Sequence, residues 1–404
     1  VSSMNFEVKY GLPDKIEYCQ SCTYSNQRPG SSVELKNKDK DKKNLINFKN
    51  GICDSCKFSL IKENEIDWKN REQELLTLLD KHRSKDGSHD CIVPGSGGKD
   101  SVFTSHILKK KYNMNPLTVT WAPHMYTDIG HKNFISWIDT GIDNILYTPN
   151  GDVHRKLTKL AFQNLCHPFQ AFIIGQKLIG PRMADKFNIP LIFYGDNPAE
   201  HGNNIEDNFK PQMDLEFYTG EKDYDKITLG GVSAKDLINQ NIVNIKDLNP
   251  YLPTSKETCV SKNIQVHYLS YYLRWDPQEC YYYAVNNANF VPNPSRTEGS
   301  YSKYSSLDDK LDCLHYYTTY IKYGIGRATY DSSQEIRNKK ITRDEGIALV
   351  KRYDGEKPSL YLDECLEYLD MNKDEFWSVI NNARSEHIWK ETNEGWELRK
   401  PIWG

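Results

Sequence analysis

The 404-residue chain has no run of eighteen apolar residues, the length a helix needs to cross a bilayer, so no membrane span is expected. It also has little net charge. With 52 Lys and Arg against 55 Asp and Glu the balance is -3, which argues against a broad nucleic-acid-binding surface. The opening "VSSMNFEVKYGLPDKIEYCQ" lacks the charged-then-apolar order of an export leader, so the cytoplasm is the expected compartment. In that compartment the ten cysteines are read as metal ligands or free thiols rather than disulfides. There is no internal repeat and no low-complexity tract. What the chain does have is length for two or three domains and a heavy aromatic load, with 26 Tyr and 8 Trp.

Its organisation changes along its length. Residues 1–62 are irregular and carry two Cys pairs around a lysine-rich stretch, read as a solvated loop. Residues 63–88 read as a linking helix, with apolar positions at helical spacing from Ile66 to Leu79. From 89 to 215 strands and helices alternate. "HDCIVPG", "LTVTWAP", "NILYTP" and "IPLIFYG" are short apolar strands, each followed by a turn or a helical segment. This predicts an α/β fold, a parallel sheet with helices on both faces, whose ligands sit at the C-terminal strand ends. Residues 216–404 are less regular, rich in Tyr clusters, with a charged helical tail from Ile341.

The stretch "CIVPGSGGKDSVFTSHILKKKY" holds the main chemical signal. Gly95, Gly97 and Gly98 let backbone approach phosphate oxygens, and the helix that follows aims free N–H groups at an anion. Ser96 and Ser101 add hydroxyls and Lys99 a charge. Asp100 would repel phosphate unless a cation stands between them, and Mg²⁺ held by one or two carboxylates plus phosphate oxygens has that arrangement. The bland alternative is a first-turn carboxylate that stabilises the helix dipole. Gly195, Asp196 and Glu200 follow the fourth strand, with Glu200 as a second Mg²⁺ ligand or simply another first-turn carboxylate. Separately, Cys19-x-x-Cys22 and Cys53-x-x-Cys56 supply four thiolates for a closed tetrahedral zinc site of structural role. Two reduced pairs or a redox site are the alternatives.

The loop Ser96-Gly97-Gly98-Lys99-Asp100-Ser101 resembles the PP-loop of the N-type ATP pyrophosphatases, which include GMP synthetase, NAD synthetase, argininosuccinate synthetase, and tRNA thiolation and lysidine enzymes. That resemblance implies attack of a substrate oxygen on the α-phosphorus of ATP, with the loop holding the departing pyrophosphate. "FYGDNPAEHGN" is similar in part to the Gly-Thr…Glu element of NAD synthetases, without its threonine. The chain at large resembles the N-acetyl sugar amidotransferases, which install acetamidino groups in pseudaminic acid and O-antigen sugars. The matching stretches include "YCQSCTYSNQRPG", "GICDSC", "VPGSGGKDS", "VTWAPHMYTDIGHKNF", "HPFQAFIIGQK" and, most specific, Ser302 to Gly355.

Membership would imply that ATP adenylates the acetamido oxygen of an N-acetyl sugar and that ammonia then displaces AMP. No cysteine sits in a glutaminase-like context, so the ammonia would come from a separate HisH-like glutaminase subunit. Lys303, Arg327 and Tyr330 would bind a sugar carboxylate or phosphate, or else are solvated or core residues. Trp121 would flank adenine or belong to the core, and His167 and Gln170 would reach the reacting amide. Two rivals stay open: a tRNA thiolation enzyme of the same loop family, and a zinc-ribbon interaction protein with an inactive nucleotide fold.

Overall fold

The computed structural model describes residues 6–28, 46–202 and 205–404. Most of the lysine-rich stretch expected as a solvated loop lies outside the described residues. The centre is a five-stranded, wholly parallel sheet. Its strands are β1 (Cys91–Pro94), β2 (Pro116–Trp121), β3 (Asp143–Tyr147), β4 (Leu191–Tyr194) and β5 (Gln265–Tyr268), in spatial order β3-β2-β1-β4-β5. Ile92 of β1 pairs with Leu117 on one side and Ile192 on the other. Four strands fall where the alternation predicts them. The fifth lies in the segment whose pattern was weak.

Burial explains the strand sequences. Every residue of β1 and β2 is buried, as a central strand covered on both faces requires. Successive side chains point to opposite faces, and β1 shows both. Ile92 joins a core with helices α5 (Gly151–Leu165) and α6 (Gln170–Phe187), through Leu157, Ile179 and Met183. Cys91 and Val93 face the other way, onto Leu108 of α3 (Lys99–Lys110) and onto Leu75 and Leu79 of α2 (Trp68–His82). Helix α2 begins at Trp68 because Asp67 caps it, accepting from Asn70 N at 3.0 Å; the expected start near Glu63 belongs to a separate helix, α1 (Asp54–Asn64).

Beside α3, α4 (Asp128–Ile138) and α7 (Pro277–Ala288) close a third cluster through Val102, Phe134, Trp137 and Ala284. Further along the chain come α8 (Asp312–Tyr323), α9 (Arg327–Arg337) and α10 (Arg343–Tyr353). The tail is helical to Asn382 but then differs from expectation, ending in a hairpin that pairs Trp389–Thr392 with Gly395–Leu398. The four cysteines sit against α9 and α10: Thr23 Oγ1 lies 2.9 Å from Ser332 Oγ, and Arg343 Nε donates to the Cys22 carbonyl at 3.2 Å.

Candidate active site

The strand order reverses between β1 and β4, and the crevice beyond their C-terminal ends is where ligands bind in open parallel sheets. The loop after β1 lies there. Gly97 has φ +87°, and a Cβ on it would stand 2.8 Å from Phe134 Cα. Ser101 Oγ donates to the Gly98 carbonyl at 3.0 Å and accepts from Gly97 N at 3.2 Å, so Ser101 holds the turn closed. Lys99 Nζ meets Asp100 Oδ2 at 2.5 Å, and Trp275 Nε1 donates to Asp100 Oδ1 at 3.1 Å. Burial works against the Lys99 ammonium, but the charges of Asp100 and Asp196 outweigh it and raise its pKa above the ordinary lysine value. Gly195 packs on the same turn, where a Cβ would lie 2.9 Å from Thr104 Oγ1.

A cleft of about 410 Å³ opens beside this loop, lined by Ser96 to Asp100 together with Ser305 to Asp309, Asp312 and Arg327. A smaller cavity of about 150 Å³ continues past Lys99 and Asp100, reaching Asp196, His201, Trp275 and Glu335. Asp196 Oδ2 lies 2.5 Å from His201 Nε2. Burial would raise the Asp196 carboxyl, yet the His201 contact and the charges of His201 and Lys99 hold it below its usual value.

The cleft also carries residues that the sequence reading missed. Asp309 accepts from His124 N at 2.7 Å and lies 2.7 Å from His124 Nδ1. Asp308 and Asp312 both have raised pKa values: burial is the main cause, with repulsion from Asp309 adding in each, while a hydrogen bond from Ser96 partly offsets the rise at Asp308. His315 is pushed down to about 3 by burial and the nearby Lys322 and Arg327, so its ring is neutral. The legible signal was the run "LDDKLDCLH", which puts three carboxylates and a histidine around one helix start.

The expected site residues divide. Ser96, Gly97, Gly98, Lys99, Asp100 and Arg327 all line the large cleft. Arg327 Nε pairs with Asp331 at 3.0 Å, and its Nη1 donates to Ser306 Oγ at 3.2 Å and to the Tyr316 hydroxyl. Glu200 does not line either cavity; its carboxylate is held by Lys62 Nζ at 3.0 Å. Trp121 is in the core, stacked on Tyr147, with no room between it and Gly175. Gln170 is spent on a turn, accepting from Gly230 N at 2.8 Å and donating to the Thr228 carbonyl at 3.1 Å. His167 is buried and stacks on His315, one ring back from the cleft wall. Lys303 is exposed, with Nζ on the Pro294 carbonyl, and Tyr330 packs against the cysteine cluster and under Arg28.

The sulfurs of Cys19, Cys22, Cys53 and Cys56 lie within 4.8 Å of one another, with Cys19–Cys56 at 3.8 Å and Cys22–Cys53 at 3.7 Å. A tetrahedral ion with metal–sulfur bonds of about 2.3 Å puts its sulfurs about 3.8 Å apart, so the spacing suits one ion. Arg343 donates to the Cys19 and Cys22 carbonyls, and buried Arg337 lies close enough to feel the cysteine charges.

Residues 298–402 match the family described as LPS biosynthesis protein WbpG-like, C-terminal domain. This WbpG-like region supplies Asp308, Asp309, Asp312, His315 and Arg327 to the lining of the cleft. A 78-residue stretch is 33% identical to the uncharacterized protein MJ1599 of Methanocaldococcus jannaschii, covering 19% of this chain and only 27% of that relative's length. Among solved structures, the chain is similar to the U34-tRNA thiolase NcsA from Methanococcus maripaludis with its [4Fe-4S] cluster (TM-score 0.29, 13% identity, 71% of this chain and 82% of that one). It is also similar to an NMN synthetase from Francisella tularensis (TM-score 0.25, 11% identity, 57% of this chain and 100% of that one). The fold described above rests on the chain's own sheet order and loop geometry.

Proposed function

We propose that the protein is an ATP-dependent N-acetyl sugar amidotransferase in the making of lipopolysaccharide or related surface-glycan sugars. One observation carries this reading: residues 96–100 of the loop and the carboxylates of the WbpG-like region line a single cleft, with Ser96 hydrogen-bonded to Asp308. The loop is suited to phosphate and the carboxylates to a polar, hydroxyl-rich acceptor.

In this reading the loop N–H groups, Ser96 and Lys99 receive the β- and γ-phosphates of ATP. The acetamido oxygen attacks the α-phosphorus, pyrophosphate leaves, and the acetamido carbon carries AMP. Ammonia adds to that carbon, the C–O bond to AMP breaks, and an acetamidino group remains. Burial and the neighbouring carboxylates raise Asp308 and Asp312, which favours retention of a proton on one of them. A protonated member can donate to the sugar, and an ionised one can take the proton that ammonia sheds. Asp100 and Asp196, both on the cavity walls, are the oxygen donors that would hold Mg²⁺, and that ion would neutralise charge on the departing pyrophosphate. Glu200, which lines neither cavity, is the weaker candidate for that role.

Zinc is the ion proposed for the four thiolates, on their spacing. A separate HisH-like glutaminase is the proposed ammonia source, on the resemblance alone, and the cytoplasm the proposed compartment. No nucleic-acid partner is proposed. The test is to incubate the protein with ATP, Mg²⁺, ammonium and a panel of free and nucleotide-linked N-acetyl sugars. AMP, pyrophosphate and a loss of one mass unit from a sugar are expected. AMP formation that requires tRNA and a sulfur donor instead would overturn the reading.

A further inference from the structure

Helix α1 begins at the four-cysteine cluster, with Cys53 as its cap and Cys56 in its first turn, and its last turn carries Lys62 and Glu63. From Cys56 to Lys62 it advances roughly 9 Å. Lys62 is 5% exposed, and its ammonium makes two kinds of contact: the Glu200 carboxylate at 3.0 Å and the Trp275 carbonyl at 2.7 Å. The next residue, Glu63, pairs with Arg274 at 2.7 Å. Two successive residues of α1 therefore grip two successive residues, Arg274 and Trp275, of a distant segment. The indole of Trp275 then donates to Asp100 Oδ1 at 3.1 Å, while Lys99 holds the other oxygen, Oδ2.

This arrangement has a direction. A carboxylate on the first turn of a helix has freedom about two side-chain torsions, and here a donor on each oxygen removes it. One donor, Lys99, comes from the loop itself. The other is fixed from outside, by a backbone carbonyl clamped to α1. The Trp275 ring is itself enclosed: Lys62 Nζ and Lys99 Nζ lie 5.8 and 6.0 Å from its centroid, and the His201 ring lies 5.5 Å away, edge-on.

We infer that Lys62 is a positioning residue for Asp100, acting through Trp275, so that the four-thiolate centre sets the geometry of the phosphate loop as well as stabilising its own segment. The coupling is geometric; its consequence for pyrophosphate binding rests on the function proposed above.

The test uses full-length protein labelled with 5-fluorotryptophan, whose eight indoles give separate ¹⁹F lines assigned at this position by Trp275→Phe. Asp100→Asn moves the Trp275 line because it alters the acceptor. Lys62→Met is expected to move the same line, and Lys62→Arg to restore it. Should Lys62→Met fold poorly, Lys62→Met with Glu200→Leu removes both buried charges and is read instead. Bound zinc, measured in each variant, shows that the thiolate centre is intact. Affinity for pyrophosphate with Mg²⁺ should fall roughly tenfold in the methionine variant, the loss of one hydrogen bond to a charged group. An unmoved Trp275 line, or a moved line with unchanged pyrophosphate affinity, would overturn the inference. A coupled Trp275 line in a wild-type protein that does not bind pyrophosphate would uphold the coupling and sink the reading of the loop.

Discussion

Two adjacent glycines in the loop should respond oppositely to the same added methyl group. At Gly97 the backbone has φ +87°, and a Cβ would meet Phe134 Cα at 2.8 Å and Phe134 N at 3.1 Å. The left-handed conformation costs a non-glycine residue about 1–2 kcal/mol. The collision is with backbone, which cannot swing aside, and overpacking of that kind adds about 1–3 kcal/mol. Gly97→Ala should therefore lose about 2–5 kcal/mol of stability, read as a lowered urea midpoint. Gly98, one residue on, has φ -68° and ψ 162°, and its Cβ would find nothing nearer than Ser96 Oγ at 3.9 Å. Gly98→Ala should keep wild-type stability or gain about 0.4–1 kcal/mol from a stiffer unfolded chain. Yet Gly98 lines the cleft, so the methyl takes the place of a phosphate oxygen. Affinity for ATP with Mg²⁺, measured by calorimetry, should fall roughly ten- to a hundredfold, as when a charge-assisted hydrogen bond is lost. If Gly98→Ala binds ATP as the wild type does, this turn does not cradle phosphate. If Gly97→Ala unfolds at the wild-type midpoint, the account of the turn is wrong.

Three further outcomes are expected. Metal analysis should find one zinc per chain, lost in Cys53→Ser along with several degrees of melting temperature; visible absorption from an iron–sulfur cluster would refute the single-ion reading of the sulfur spacing. Asp354, raised to about 6 by burial despite hydrogen bonds from Gly326 N and Thr329, holds its proton more tightly in the folded state than its ordinary 3.8 allows. Folded protein thus binds more protons than unfolded protein between about pH 4 and 6, so this group's contribution falls as pH rises through that window and is flat above it. The total is on the order of 3 kcal/mol. Asp354→Asn should flatten that part of the urea-midpoint curve. Finally, Gln170→Ala should lower stability by about 1–3 kcal/mol by orphaning the Gly230 N–H, with KM for the sugar unchanged, whereas Arg327→Met should raise that KM.

The parts of this architecture that were legible in the sequence share a cause: local pattern and local structure agree. The strand "CIVP" is continuously apolar because both faces are covered, and "GSGGKDS" is unusual because a left-handed turn and a helix start coincide there. Two Cys-x-x-Cys pairs spoke for themselves. The residues whose use the sequence left open are those decided by a distant segment. Trp121 follows a strand toward the cleft, but Gly175 leaves the space that takes its indole into the core. Glu200 has the spacing of a loop carboxylate, but Lys62, 138 positions earlier, occupies it. Gln170 sits in "HPFQ", but its amide is used by the turn at 228–230. Nothing local to these residues records the partner.

The same reasoning explains why the carboxylates of the cleft were not picked out. In "LDDKLDCLH" nothing local tells a helix start in open water from one that lines a cleft, and only the fold shows the cleft. Asp309 is the pivot. Its carboxylate is 3% exposed and takes hydrogen bonds from His124 N and Leu311 N, so it ties the end of β2 to the start of α8. Asp309 is buried and Asp308 and Asp312 are half-buried beside it, and crowding of carboxylates is costly unless charge is shared, shed as a proton or met by a cation; Arg327 is a cation whose charge reaches Asp312. Two parts of the chain with independent sequence signals, the glycine-rich loop and the carboxylates of residues 308–312, thus meet at a single cavity, with Ser96 on Asp308. In the function proposed above, that meeting lets the carboxylates act on what the loop receives.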